Sequence, residues 1–299
     1  MIEFTSFGKW ILAGEHAVLR GHPALVFPLH EKKMIFRANF DHVFSVKMLG
    51  DHGHELDLIF HGVVEKALEK LKLTRADLKG ALTIESSLPL GAGMGGSAAL
   101  CVGVARFFSQ QGLIKEENLY EFSRDLEDLF HGESSGVDIA VALEGKGLLF
   151  QRDITKGRSV ATRQPLEVLF RPDWYLSYCG KKGVTSECVK KVRELFSKSP
   201  ERAQLIDLQM KQSVEKAFAA LTESGVSDRV SLLAQSLDQA RQCFEQWGLA
   251  GGDLKRHMNE LLESGALSVK PTGSGGGGYV LSLWTKPPPE SLRTSLLRV

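Results

Sequence analysis

The sequence lacks any apolar run that approaches the roughly 18 residues needed to cross a bilayer. Residues 1–8 also lack a basic segment followed by an apolar one, which is the pattern of a secretory signal peptide. We therefore expect a protein that does not bind membranes and stays in the cytoplasm.

An excess of charge is missing as well. Lys and Arg number 37 and Asp and Glu 36, so the chain offers no basic field for a nucleic acid. The four cysteines form no C-x-x-C pair, and we expect no disulfide framework. This cysteine usage is typical of a reducing compartment. These absences favour a protein that acts on a small molecule, and they leave a homodimer open.

The composition that is present is typical of a globular protein, with 43% hydrophobic and 24% charged residues among 299. That length suffices for one large domain or two ordinary ones. Predicted strands and helices do not alternate strictly, which favours an α+β fold over a doubly wound sheet. The polar stretch 153–172 is the linker candidate, so we predict domains at 1–170 and 171–299.

Apolar periodicity predicts where the helices lie. Between residues 57 and 73, apolar side chains recur at helical spacing, which predicts an amphipathic helix. Similar reasoning predicts helices at 97–110, 117–130, 138–143, 185–196, 204–221, 230–247 and 253–263. Strands are predicted at 4–12, 24–29, 34–49 (one or two strands), 82–85, 148–151, 174–179 and 279–284.

A glycine-rich segment, residues 89–97, lies between a predicted strand and a predicted helix. Glycines let backbone N–H groups approach an anion closely, and the N-terminus of the following helix adds a partial positive charge. Phosphate is the natural ligand of such a loop. The alternative is a turn that only connects the two elements.

Other nucleotide-binding loops can be compared with this segment. A Walker A loop needs a lysine after its last glycine, and Gly96 and Ser97 supply none. The G-x-G-x-x-G pattern occurs at 91–96 and 273–278, but no acidic residue completes a dinucleotide site. The His-Arg-Asp and Asp-Phe-Gly motifs of protein kinases are absent. A nucleotide-dependent oxidoreductase remains an alternative on the G-x-G-x-x-G pattern alone.

Three separated motifs resemble those of a known family. They are residues 8–18 (GKWILAGEHAV), 89–98 (PLGAGMGGSA) and 270–278 (KPTGSGGGG), and a fourth segment is 127–138 (EDLFHGESSGVD). In order and spacing they resemble the GHMP superfamily of small-molecule kinases over nearly the whole chain. The first motif is most similar to the mevalonate kinase branch, because the sugar kinases have Thr-Asp where this chain has Ala17 and Val18.

The resemblance implies a fold and an activity. The fold would have two α+β domains, a ribosomal protein S5 domain 2-like N-terminal half and a ferredoxin-like C-terminal half. The activity would be transfer of the γ-phosphoryl group of ATP to the primary hydroxyl of mevalonate, with Mg²⁺ as cofactor. The product, 5-phosphomevalonate, would serve isoprenoid synthesis.

Two other functions are compatible with the same resemblance. A sibling kinase could phosphorylate phosphomevalonate or a sugar, and Lys181 and Lys182 are cations that a phosphorylated acceptor would need. A ligand-sensing relative without turnover is the second alternative, and the intact Lys9, Glu127 and Asp138 disfavour it.

The resemblance also implies roles for individual residues. Asp138 would accept the proton of the acceptor hydroxyl, and Lys9 would stabilise the transferring phosphoryl group. Ser97 and Glu127 would bind Mg²⁺. The residues expected to bind ATP are Pro89, Gly91, Ala92, Gly93, Met94, Gly95, Gly96, Ser97 and Ala98. The residues expected to contact the acceptor are Glu15, His16, Thr185, Gly136 and Gly273.

Each of these assignments has a purely structural alternative. Asp138 could be a capping or first-turn aspartate satisfied by local N–H groups, and Thr185 could be an ordinary N-cap. Glu127 could be an exposed glutamate near Arg124. Lys9 could extend its ammonium group to solvent. The adjacent Glu-His pair of the first motif could close a hydrogen-bond network in the core.

Two residues depart from the family's pattern. Gly96 stands where relatives usually have a serine, which removes one hydroxyl from the phosphate loop. Ser134 stands where mevalonate kinases commonly have proline, just before Asp138. Elsewhere, Asp51, His52 and His54 share a polar segment that lacks a defined ligand geometry and predicts a solvated loop.

Overall fold

The computed structural model describes residues 1–50, 53–89, 93–131, 134–155 and 160–299. The chain divides into two compact units: Met1–Lys9 with Pro28–Lys146, and Trp10–Phe27 with Gly147–Val299. The division of the chain into family domains at residue 170 stays a prediction. Asp51 and His52 lie outside the described residues, as do positions 90–92, 132–133 and 156–159.

Helices and strands are interspersed along the whole chain. Up to residue 146 they are β1 (Ile2–Ala13), β2 (Ala24–Val43), β3 (Ser45–Leu49), α1 (Gly53–Leu71), β4 (Lys79–Ser86), α2 (Gly96–Gln110), α3 (Leu119–His131) and α4 (Val137–Glu144). Beyond it they are β5 (Leu148–Arg152), β6 (Ala161–Pro165), β7 (Asp173–Tyr178), α5 (Thr185–Lys198), α6 (Pro200–Thr222), α7 (Arg229–Gln246), α8 (Asp253–Glu263), β8 (Ser268–Thr272), β9 (Tyr279–Trp284), α9 (Glu290–Arg293) and β10 (Leu296–Arg298).

In the first unit, helices cover a sheet in which β4 pairs antiparallel with β2 and parallel with β3. Leu82 and Ile84 alternate along β4 with less buried residues, so one face of this strand is apolar and buried. Helix α2 is buried along nearly its whole length and packs against α3 and α4. A Cβ at Gly103 of α2 would lie 1.9 Å from the ring of Phe36. Glycine therefore allows the helix to pack closely on the strand.

The second unit contains a four-stranded antiparallel sheet in the order β10-β7-β9-β8. Helices α7 and α8 pack on β8, and α6 packs along α7. All five residues of β8 are buried, including Lys270. In this unit β5 also pairs with residues 24–26 of β2 and with β6.

Both units mix helices with mainly antiparallel strands, which confirms the α+β prediction. The predicted helices are present, with shifted ends; α1, for example, begins at Gly53 rather than at residue 57. None of the helices among the described residues is long and apolar enough to cross a membrane.

The strands differ from the sequence-based description in three places. The stretches 24–29 and 34–49 do not start separate strands, because β2 runs without a break from Ala24 to Val43. The linker candidate 153–172 contains β6, whose sequence Ala-Thr-Arg-Gln-Pro has no apolar alternation to reveal it. The strand β8 was not expected, because all of its residues are buried and no alternation marks it.

Candidate functional site

Lys9 is the last residue of the first unit's N-terminal segment and is only 5% exposed. Its Nζ lies 3.2 Å from Oδ2 of Asp138 and donates a hydrogen bond to the backbone oxygen of Gly93 at 3.2 Å. Its backbone N–H donates to the oxygen of Met94 at 2.8 Å. The interpretation of Lys9 as a solvent-exposed cation is therefore wrong. Lys9 instead connects the glycine-rich loop with Asp138.

The described part of the glycine-rich loop lies against this lysine. Gly95 has a φ of 78° and is the N-cap of α2. A Cβ there would lie 2.8 Å from Cγ of Lys9, so glycine is needed both for the backbone conformation and for the close approach. Of the predicted phosphate-binding residues, Gly91 and Ala92 lie outside the described residues.

The first turn of α2 has the features of an anion site. It consists of Gly96, Ser97 and Ala98, and Ser97 is half-buried. First-turn N–H groups have no acceptor within their own helix, and the helix dipole makes this end partially positive. The turn can therefore bind a phosphate group. Pro89 is half-buried and precedes the loop.

Asp138 lies in the first turn of α4, after the N-cap Gly136. Gly136 has a φ of 79°, and a Cβ there would lie 2.3 Å from Oη of Tyr120. Asp138 is thus a first-turn residue, as its structural alternative supposed, but its carboxylate pairs with Lys9. Its side chain is 22% exposed, so the carboxylate is partly accessible while a buried cation holds it.

Glu127 on α3 is 2% exposed, which makes its interpretation as an exposed glutamate wrong. Burial, and then the nearby Asp138 carboxylate, raise the pKa of Glu127 to about 8. A hydrogen bond from the Ser134 hydroxyl to Oε2 acts in the opposite direction. A buried carboxyl group next to a second, partly exposed carboxylate favours a bound cation. Among the described residues, no cluster of three or more His, Cys, Asp or Glu could hold a metal ion.

Ser134 links Glu127 to the turn that precedes Asp138. Besides donating to Glu127, its hydroxyl accepts a hydrogen bond from the backbone N–H of Gly136 at 3.0 Å. Its own backbone N–H donates to Oδ1 of Asp128 at 2.8 Å. A proline would lack both the N–H and the hydroxyl. Sequence reasoning had identified Ser134 only as a departure from the family.

In the second unit, His16 follows β1 in a strained backbone conformation, with a φ of 58°. Its Nε2 lies 2.9 Å from the backbone oxygen of Ser274. Because a carbonyl oxygen only accepts, Nε2 must carry the ring proton. Burial is the main cause that lowers the pKa of His16 to about 4. The ring is therefore neutral at pH 7, with Nδ1 unprotonated.

Glu15 and Lys270 form an ion pair in the core of the second unit. Nζ of Lys270 donates to Oε1 of Glu15, and to the backbone oxygen of Ile11 at 3.2 Å. The hydroxyl of Thr272 accepts from the N–H of Ile11 at 2.9 Å and donates to its oxygen at 3.0 Å. These bonds attach β8 to the end of β1. Sequence reasoning had treated Lys270 only as part of a motif.

Ser274 connects the predicted acceptor residues of the second unit. Thr185 is the first residue of α5, after the N-cap Val184, so the interpretation of Thr185 as an N-cap is wrong. Its hydroxyl donates to Oγ of Ser274 at 3.3 Å. Gly273, with a φ of 92°, directly precedes Ser274. The structure thus places His16, Thr185 and Gly273 around Ser274, whereas Gly136 belongs to the first unit.

A comparison with protein families matches the part of the chain that contains the glycine-rich loop and Asp138. Residues 59–146 match the model of the GHMP kinases N terminal domain. This part of the chain is therefore similar to that domain. The match confirms the resemblance that the motifs indicated.

Similarity to GHMP kinases extends over nearly the whole chain. A mevalonate kinase of Archaeoglobus fulgidus is 28% identical over 93% of this chain and 90% of its own length. The crystal structure of L. major mevalonate kinase in complex with R-mevalonate aligns with a TM-score of 0.76 at 20% identity, over 100% of this chain and 95% of that one. Streptococcus pneumoniae phosphomevalonate kinase in complex with phosphomevalonate and AMPPNP aligns with a TM-score of 0.73 at 17% identity, over 100% of both chains. These likenesses confirm the predicted GHMP kinase fold.

The buried neutral His16 predicts that this protein loses stability in mild acid. Because its pKa falls from 6.5 to about 4 on folding, the unfolded state binds a proton first as the pH falls. The contribution of neutral His16 to the free energy of unfolding is complete above about pH 6.5, and it is lost as the pH falls from there to about pH 4. From pH 7 to pH 5 we expect a loss of about 2 kcal/mol from this residue. Urea unfolding of the wild type and of His16→Gln at both pH values measures this loss of free energy of unfolding. An equal loss in the two proteins would contradict the prediction.

Proposed function

We propose that this chain is an ATP-dependent kinase that transfers the γ-phosphoryl group of ATP to the primary hydroxyl of mevalonate, giving 5-phosphomevalonate. The observation that carries the proposal is the pairing of the buried Lys9 with Asp138 at 3.2 Å, next to the glycine-rich loop. Relatives named mevalonate kinase, which match over nearly the whole chain, support the choice of acceptor.

The chemistry assigned to Lys9 and Asp138 follows from how phosphoryl transfer works. Catalysis of this reaction is mostly positioning and neutralisation of charge. A carboxylate is too weak a base to ionise an alcohol beforehand. Asp138 therefore orients the hydroxyl and takes its proton late, as the new O–P bond forms and the bond to the ADP oxygen breaks. Lys9 stabilises the negative charge on the transferring group and on the attacking oxygen.

The phosphates of ATP are assigned to the glycine-rich loop and the first turn of α2. The backbone N–H groups of Gly96, Ser97 and Ala98 are the first-turn donors of a 15-residue helix. Lys9 contributes a cation next to Gly93 and Met94. Fixed donors and a nearly buried cation favour a polyanion such as a nucleoside triphosphate.

Mg²⁺ is assigned to Ser97 and Glu127. Both are hard oxygen donors of the kind that this ion prefers, and Glu127 is buried near the Asp138 carboxylate, where negative charge favours a cation. When bound, the ion supplies charge neutralisation at the β- and γ-phosphates. Ser134 holds the Glu127 carboxylate in place through its hydroxyl.

Replacing Glu127 by glutamine is expected to raise the Mg²⁺ concentration for half-maximal activity at least about 10-fold, because a neutral amide is a weaker ligand for a hard cation. The measurement is a magnesium titration of ADP release at fixed ATP. Glu121→Gln, on the exposed side of the same helix, is the matched control and should leave the requirement within about twofold of the wild type. An unchanged requirement in Glu127→Gln would remove Glu127 from the metal site.

A coupled ADP-release assay tests the function itself. Mevalonate, phosphomevalonate and a panel of sugars are supplied in turn, and we expect turnover with mevalonate. Preference for a sugar would refute the proposed acceptor, and no turnover with any acceptor would refute the kinase activity.

Phosphomevalonate is the second candidate acceptor. The exposed Lys181 and Lys182 lie beside the glycine segment that follows β8, where the N–H of Gly278 donates to the oxygen of Lys181 at 2.7 Å. Their ammonium groups could bind a phosphorylated acceptor. Faster turnover of phosphomevalonate than of mevalonate in the same assay would favour this candidate.

A further inference from the structure

Three rings form a cluster in the second unit: His16, Phe244 and Trp247. The ring centroids of His16 and Trp247 are 5.1 Å apart, and Phe244 lies 6.0 Å from His16 and 5.7 Å from Trp247. Trp247 directly follows α7, and its backbone N–H donates to the oxygen of Cys243 at 2.9 Å. This aromatic cluster is therefore held by a rigid helix end next to one of the predicted acceptor residues.

The indole nitrogen of Trp247 is one of the buried polar atoms that lack a hydrogen-bond partner among the described residues. The residue is 3% exposed, and Nε1 has no hydrogen-bond partner among the residues that the structure describes. The buried Trp284 is different, because its Nε1 donates to the hydroxyl of Ser282 at 2.9 Å. Buried N–H groups in proteins nearly always have an acceptor, and an exception requires an explanation. A ligand oxygen would provide one.

The groups near Trp247 differ in what they offer a ligand. His16 donates through Nε2 to Ser274, so its Nδ1 can only accept. Three nearby cations already have partners. Lys270 binds Glu15, Arg20 binds Asp207 through two nitrogens, and Lys191 donates to the backbone oxygen of Gly248 at 2.7 Å. Trp247 thus offers a donor and His16 an acceptor.

The N-terminus of helix α5 adds an electrostatic field that favours an anion near Ser274. Its first residue, Thr185, donates to the side chain of Ser274, whose backbone oxygen binds His16. The N-terminus of a 14-residue helix carries a partial positive charge. A carboxylate close to Ser274 would be stabilised by this helix end, even without a free cation.

Resting on the proposed function, we propose that Trp247 is a further acceptor-binding residue, whose Nε1–H donates to the carboxylate of mevalonate, while His16 Nδ1 accepts from a hydroxyl. The assignment follows from chemistry, because a carboxylate only accepts hydrogen bonds and a hydroxyl can also donate one. The sequence-based expectation had Glu15, His16, Thr185, Gly136 and Gly273 at the acceptor and did not include Trp247.

Trp247→Phe tests the proposal, because it removes the N–H and keeps an aromatic ring. We expect KM for mevalonate to rise about 10- to 100-fold, since a hydrogen bond to a charged group is lost. The kcat and the KM for ATP should stay within about threefold. Trp284→Phe is the matched control, because it removes a buried N–H that already has an acceptor within the protein. Its KM for mevalonate should match that of the wild type.

The outcomes separate this inference from the proposed function. If wild type does not phosphorylate mevalonate, the proposed function fails and the assignment of Trp247 fails with it. If the wild type is active and Trp247→Phe keeps its KM within twofold, only the assignment of Trp247 is overturned.

The wild-type protein provides a second measurement, which does not depend on the folding of Trp247→Phe. The chain has four tryptophans, so ¹⁵N-labelled protein gives four indole N–H signals. Replacing Trp10, Trp174 and Trp284 singly by phenylalanine assigns the fourth signal to Trp247. Saturating mevalonate should shift this signal downfield, as a new hydrogen bond to a carboxylate requires. A signal that does not move would overturn the proposal.

Discussion

Replacing Asp138 by asparagine is expected to lower kcat at least about 100-fold and to leave the affinity for ATP nearly unchanged. Asparagine has nearly the same shape, but it cannot take a proton from the acceptor hydroxyl. It also removes the negative charge that lies 3.2 Å from Nζ of Lys9. Steady-state kinetics with mevalonate, together with nucleotide binding measured by calorimetry, separates the loss of chemistry from a loss of ATP binding.

The matched control for this change is Asp125→Asn. Asp125 lies on α3 and pairs with Lys70, both partly exposed, so kcat should stay within about twofold of the wild type. Activity that survives in Asp138→Asn would show that Asp138 neither accepts the proton nor orients the hydroxyl. A parallel loss of ATP affinity would indicate that the carboxylate acts mainly by holding Lys9 and the loop.

Replacing Lys270 by methionine is expected to lower the free energy of unfolding by about 3–5 kcal/mol. Lys270 is fully buried, and the side chain of Glu15 is 2% exposed. Methionine fills a similar volume but supplies no charge, so the Glu15 carboxylate would stay buried without its ammonium partner. The hydrogen bond to the oxygen of Ile11 would be lost as well. Urea unfolding at pH 7 measures the change.

Two further variants test the cause of this loss. Lys211→Met removes a lysine from an exposed pair with Glu215 and should cost less than about 0.5 kcal/mol. Adding Glu15→Gln to Lys270→Met removes the buried charge and should restore at least about 1 kcal/mol. A loss below about 1 kcal/mol in Lys270→Met would mean that the ion pair contributes little to the stability of the fold.

Local sequence patterns were sufficient to predict much of the fold. The helix α1 was predictable because Phe60, Val64 and Ala67 recur on one face, and the structure buries that face. The strand β8 could not be predicted in the same way. Its neighbours α7, α8 and β9 bury every residue of the strand, including a lysine, so no alternation marks it.

The candidate site likewise has features that the sequence predicts and features that it does not. The glycine-rich loop could be located because it joins a strand to a helix, and its glycines have few other uses there. The burial of Glu127 could not be read from α3 alone, because α2 and α4, which pack near it, are separate segments of the chain. The sequence did not indicate Trp247 as a site residue, because a tryptophan at a helix end is usually a core residue. What points to a ligand is that its N–H has no hydrogen-bond partner among the described residues.

The sequence by itself determined the α+β class, the resemblance to GHMP kinases and the residue types that phosphoryl transfer requires. Each of these depends on local patterns or on motifs, which can be recognised without knowing what a segment packs against. Only the tertiary structure decided that Lys9 is buried and paired with Asp138, that Glu127 is buried with a raised pKa, and that His16 is neutral. Charge states and pairings depend on burial and on residues that are distant in the chain, and folding alone brings these together.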